Sequence, residues 1–252
     1  MIEIKNVSKS YGKKKVVQNV SLTVQKGTIT SFIGPNGAGK STLISMVSRL
    51  LSCDEGEVYI DGSNVTKTKS NELAKKISIL KQSNELNVRL KVRELVSFGR
   101  FPYSQGRLTK EDWAYVDEAI LYMELEEIQD QFIDHLSGGQ KQRAFIAMVI
   151  AQNTEYIILD EPLNNLDMKH SVQIMKVLRR LADELGKTVL IVIHDINFAS
   201  VYSDQIVALK NGSLIREGRT DEMITTEVLK EIYDMHIPIE QYGDHRIGIY
   251  FS

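Results

Sequence analysis

What this chain has little of narrows its class first. It carries one cysteine, Cys53, which excludes an intrachain disulfide and fits a reducing compartment. Cys53 itself reads as a buried or loop thiol with no chemical task. No apolar run approaches the roughly 18 residues needed to span a bilayer, and the opening residues lack a signal-peptide pattern, so a cytosolic chain is expected. With four prolines, no repeats and no low-complexity or Pro/Ser-rich stretch, nothing marks a flexible joint. Nor is one sign of charge in excess: 31 basic residues face 33 acidic ones, which argues against a nucleic-acid partner or general attraction to an anionic membrane. What remains is 252 residues, 42% of them hydrophobic, enough for one large domain or one core with an inserted lobe.

The periodicity gives a coarse fold. Residues 2–7 and 20–24 alternate apolar with polar side chains, as half-buried strands do. Residues 28–33 run into a glycine-rich loop, and 41–51 read as the helix that follows. Short strands are expected at 58–60 and 77–80. From about Asn84 to Ala151 the signal is mainly helical, clearest at 92–99 and 110–123. Strands return at 156–160 and 189–193 as nearly unbroken apolar runs, the pattern of parallel strands covered on both faces. Asn211-Gly212, between 206–209 and 214–215, is a hairpin signal.

Three motifs carry chemistry. The loop Gly34-Pro35-Asn36-Gly37-Ala38-Gly39-Lys40-Ser41 follows a strand and opens a helix, the context of a nucleoside-triphosphate cradle. The strand 156–159 ends in two carboxylates, Asp160 and Glu161, at the edge where α/β folds bind ligands. Between them, Leu136-Ser137-Gly138-Gly139-Gln140 sets a small residue and two glycines at the start of a helical run, which makes a second anion site. Two cradles on one domain suggest that each nucleotide is held between two copies of the chain.

Loop, pentapeptide and carboxylate strand, in this order, resemble the ATP-binding subunit of an ATP-binding cassette transporter, with the resemblance running from Tyr11 to about His194. It implies an α/β fold: a P-loop NTPase core with an antiparallel β portion over 1–83 and 152–252, and an inserted helical subdomain over 84–151. It implies ATP and Mg²⁺ as ligands. Lys40 would meet the β and γ phosphates, Thr42 the α phosphate, and Ser41 and Asp160 the Mg²⁺. Glu161 would orient and deprotonate the attacking water, help that contributes about 10²–10⁴-fold. Tyr11 matches the residue that stacks on adenine, and His194 the one that senses the γ phosphate. Gln82 matches a glutamine that touches Mg²⁺ or the lytic water and links nucleotide state to a membrane partner, although Lys81 stands where the family often has proline. Asp167 matches the loop that crosses the dimer seam, with Asn164-Asn165 in place of the common Ser-Ala.

The partners implied are a second ATPase subunit, transmembrane permease subunits and, indirectly, an extracytoplasmic binding protein, with the chain peripheral at the cytoplasmic membrane face. The segment Val92 to Tyr103 and the loop Leu163 to Ser171 look like the subfamily serving ferric-siderophore, haem and vitamin B12 importers. Ferric siderophore is the expected cargo. A lipid or drug exporter is the alternative within transport, and a non-transport ATPase the alternative outside it. A translation-type cassette would carry two such domains, and the stretch from Lys40 to His135 is too short for the heptad arm of a chromosome-type one.

Overall fold

Alternation of apolar and polar side chains sets the opening strand, β1 (Ile2–Tyr11), which buries Ile2, Ile4 and Val7. From Ile4 to Val7 the interval is three, and a register shift against β2 (Lys14–Val24) absorbs the odd residue. These strands pair antiparallel from Ile2 opposite Val24 to Tyr11 opposite Lys14. β3 (Ile29–Ile33) is buried at all five residues, so its side chains are covered on both faces. It delivers the chain into the glycine loop and α1 (Lys40–Val47). β4 (Glu55–Ile60) pairs with the other edge of β1, and β5 (Ser63–Asn64) completes an antiparallel sheet in the order β2-β1-β4-β5. The computed structural model describes residues 1–82, 88–164 and 166–250.

The helix α1 stops at Val47, short of the expected Leu51. The Ser48 hydroxyl donates back to Ile44 O at 2.9 Å, and Arg49 turns into the left-handed region at φ 56°. There its guanidinium donates to Val65 O and Thr68 O, contacts available only off the helix axis.

Residues Lys69–Lys187 form a second compact unit. After α2 (Ser70–Ala74), β6 (Ile77–Leu80) runs parallel to β7 (Tyr156–Asp160), in register from Ile77 opposite Tyr156 to Leu80 opposite Leu159. Between them come α3 (Val92–Ser97), α4 (Phe101–Ser104), α5 (Lys110–Tyr122) and α6 (Gly138–Ala151). This group is organised around Arg100, whose side chain is 6% exposed. Its Nε donates to Asp112 Oδ1 at 3.0 Å, Nη1 donates to Ala151 O and Gln152 O, and the guanidinium lies over the rings of Tyr103 and Tyr115 at 4.1 and 4.2 Å. A buried cation needs such full pairing to be tolerated. After β7, α7 (Met168–Leu185) buries Ile174, Met175, Leu178, Leu181 and Ala182, the spacing of one helical face.

The chain then returns to the first unit, Met1–Thr68 with Thr188–Ser252. β8 (Thr188–Val192) lies parallel to one edge of β3, and β9 (Gln205–Lys210), reached through α8 (Ile196–Tyr202), parallel to the other. β10 (Ser213–Arg219) folds back on β9 around Asn211-Gly212, as the hairpin signal predicted. The tail adds α9 (Thr220–Met223), α10 (Thr226–Tyr233) and the antiparallel pair β11 (Ile239–Tyr242) and β12 (His245–Gly248). The fold is α/β, with parallel strands in both units and an antiparallel β portion, as expected. Among the described residues, no helix is long and apolar enough to cross a membrane.

Candidate nucleotide site

The first unit carries the glycine loop. Gly39, the residue before α1, has φ 99°, and a Cβ there would press on Val16 O, so glycine is required on both counts. It also leaves the helix without a side-chain cap, whereas Thr109, Ser137 and Asp167 cap α5, α6 and α7. An uncapped helix start after a glycine loop is a site an anion can fill, which fits a phosphate there. Lys40 opens α1 yet is 4% exposed, its ammonium donating to Gly34 O at 2.7 Å and Pro35 O at 3.0 Å. The loop is tied down further by Ala38 N–H donating to Pro35 O and Gly212 N–H donating to Ala38 O. Asn36 and Gly37 are exposed, and Ser41 and Thr42 follow Lys40 on the first turn of α1. Tyr11 ends β1 and is 53% exposed, available for stacking. His194 is exposed two residues past β8, and Asp195 next to it caps α8 by accepting from the amides of Asn197 and Phe198.

The second unit brings Gln82 and Glu161 together. Asp160, 8% exposed, is the last residue of β7, and Glu161 follows with φ 51°. A left-handed glutamate is a strained backbone, held only where its surroundings fix it. Here Glu161 Oε2 accepts from Gln82 Nε2 at 2.7 Å and from Asn164 Nδ2 at 2.6 Å. Because a carboxylate only accepts, the Gln82 amide must face it through nitrogen. Its carbonyl oxygen is thereby left to serve other donors or a cation. The Asp160 carboxylate and Gln82 carbonyl of this unit are hard oxygen donors of the kind Mg²⁺ takes, and so, in the first unit, is the Ser41 hydroxyl. Asn165 and residues 83–87, where the expected helical stretch begins at Asn84, lie outside the described residues.

The pentapeptide has a local role that the motif reading missed. Ser137 Oγ accepts from Gln140 N–H at 3.3 Å, and Gln140 Oε1 accepts from Ser137 N–H at 3.0 Å, a reciprocal capping box that starts α6. Its signal, Ser-x-x-Gln, was in the sequence. The cap holds Gly138 and Gly139 in the first turn, where Gly138 is exposed and a side chain there would meet open space. Gln142, one turn on, donates to Pro162 O at 2.9 Å, joining α6 to the loop after Glu161. Asp167 caps α7. The His170 backbone N–H, then the His170 ring, holds its carboxyl below the usual carboxylate range. Asn164, named in the sequence only as a departure from Ser-Ala, has a contact with Glu161 that the motifs did not foresee.

Residues 17–164 match the family described as ABC transporter. The chain is 68% identical, over all of both chains, to a petrobactin import ATP-binding protein of Bacillus subtilis (strain 168). It is 38% identical to a ferric enterobactin transport ATP-binding protein of Escherichia coli (strain K12), over 91% of this chain and 85% of that one. Among solved structures, a dimeric bacterial ABC transporter cassette superposes with a TM-score of 0.80 at 36% identity, over 87% of this chain and 99% of that one. A glycine loop, a buried strand ending in two carboxylates and a capped Ser-Gly-Gly helix start therefore coincide with full-length similarity, and the chain belongs to the ABC transporter family as an ATP-hydrolysing subunit.

Proposed function

We propose that this chain energises a membrane importer of ferric siderophores, working as a pair of ATPase subunits beneath permease subunits at the cytoplasmic face of the membrane. The observation that carries the reading is full-length 68% identity to a protein named for petrobactin import, with a second such relative of Bacillus anthracis at 49%. Haem or vitamin B12 as cargo, an exporter and a non-transport ATPase are the readings it displaces.

In this mechanism the loop Gly34–Thr42 binds the phosphates, with Lys40 exchanging its loop carbonyls for phosphate oxygens. Ser41, Asp160 and Gln82 would hold Mg²⁺, which supplies charge neutralisation at the transferred phosphoryl group. Glu161 takes a proton from the attacking water, its carboxylate aimed by Gln82 and Asn164. Ser137, Gly138, Gly139 and Gln140 of one copy meet the nucleotide of the other. His194 contacts a γ phosphate and senses its loss. Since Gln82 donates directly to Glu161, a permease movement that shifts Gln82 changes the aim of the base. The expected lobe at 84–151 would carry that movement.

Deletion of the gene in its host tests the cargo. Uptake of iron bound to one class of siderophore should be lost, and simple iron salts at high concentration should still support growth. Normal uptake of every siderophore tested, with a defect in another solute, overturns the iron reading and leaves the ATPase in place.

A further inference from the structure

The tail beyond Thr220 contributes nothing to the chemistry above, yet it supplies a partner to the first amide of the phosphate loop. β3 delivers Gly34 buried and at φ 134°, and a Cβ there would run into Leu209 O of β9, so its backbone is pinned. A buried N–H in a pinned backbone needs an acceptor. Gly34 N–H donates to the hydroxyl oxygen of Tyr233, the last residue of α10, at 3.2 Å. The helix that carries Tyr233 is itself anchored. Lys210 of β9 donates to Glu231 O at 2.8 Å and pairs with Asp234 at 2.8 Å, and Arg216 of β10 meets Glu231 Oε2 at 2.6 Å. The rest of the tail is clipped to the helix after His194. Asn197 of α8 exchanges two hydrogen bonds with the Gly248 backbone, and Ser200 Oγ donates to Arg246 O.

We infer that Tyr233 is a positioning residue for nucleotide binding: by accepting the Gly34 amide it holds the entry of the phosphate loop in its binding shape. The inference rests on reading Gly34–Thr42 as the nucleotide cradle. Without the hydroxyl, the Gly34 N–H is left in a covered site with no acceptor, and the loop entry relaxes to find one. Ordering it again opposes ATP binding. Proton transfer at Glu161 comes later and does not involve the tail. The signature is therefore a change in KM with kcat preserved.

The test is Tyr233→Phe in the full chain, with ATPase kinetics and amide exchange at Gly34. One hydrogen bond sets the scale, a rise of about 2- to 10-fold in KM for ATP. The turnover number should stay within about two-fold, and Gly34 should exchange faster while β3 amides keep their protection. Tyr242→Phe, exposed on β11, should change neither. An unchanged KM in folded Tyr233→Phe, whatever its melting temperature, overturns the inference. Should that variant not fold, Lys210→Met loosens α10 with the hydroxyl retained, and an unchanged KM there overturns it equally. Lys40→Ala separates the two readings, because equal ATP binding by it and the parent refutes the cradle itself.

Discussion

Replacing Glu161 by glutamine removes the carboxylate proposed as the base and little else. The glutamine carbonyl oxygen can accept the same two bonds, from Gln82 and Asn164, that Oε2 accepts at 2.7 and 2.6 Å. Both bonds lose their ionic partner, and as both are solvent-exposed the change in stability should not exceed about 1–2 kcal/mol. The barrier is another matter. Loss of general-base help of about 10²–10⁴-fold corresponds to roughly 2.7–5.4 kcal/mol in the transition state. The expected result is single-turnover hydrolysis slowed by at least about 100-fold with the ATP dissociation constant within about three-fold of the parent. Glu161→Ala should lose hydrolysis too but leave the amides of Gln82 and Asn164 without that acceptor. The assay is rapid-quench hydrolysis beside equilibrium nucleotide titration. Hydrolysis by Glu161→Gln within about ten-fold of the parent would place the base elsewhere and refute the role assigned here.

Ser137→Arg should abolish ATP-driven dimerisation in sizing chromatography while nucleotide titration of the monomer stays near parent values; Ser137→Ala, which removes only the cap, should cost about 0.5–2 kcal/mol of stability. Arg100→Ala leaves Asp112 buried and short of one partner, and since Thr109 N–H and Oγ1 still serve Asp112 Oδ2, the loss should fall near the lower end of about 3–5 kcal/mol. That corresponds to a fall of roughly 6–12 °C in melting temperature by calorimetry for a chain of this size. Burial pushes the Tyr233 phenol up to about 12. The unfolded chain therefore ionises first as pH rises, and stability measured by urea titration should decline between about pH 10 and 12, a decline that Tyr233→Phe should reduce.

The elements that were legible owe their signals to local chemistry. β7 and β8 are nearly unbroken apolar runs, and all ten of their positions are buried, so composition alone marks them as covered strands. The Asn-Gly turn and the glycine loop are likewise written in a few adjacent residues. Less legible were features set by contacts between distant residues. The register shifts of β1 depend on its partners β2 and β4. Gln82 and Glu161 stand 79 residues apart, and Gly34 and Tyr233 stand 199 apart. No periodicity reports such a pair. The capping box at Ser137 was present in the sequence but lay beneath a stronger motif.

The left-handed backbone of Glu161 separates two kinds of fitness. At φ 51° a glycine would relieve strain of order 1–3 kcal/mol, which offsets the loss of the two exposed bonds from Gln82 and Asn164, so on the role proposed for Glu161 a substitution that stops hydrolysis carries little cost in stability. On that role, a library of this chain screened only for heat tolerance would do little to remove inactive variants at this position. In a lineage that no longer needed the imported solute, stability would do little to hold the proposed base in place. Retention of glutamate at this position is, on the proposed role, a record of continued use.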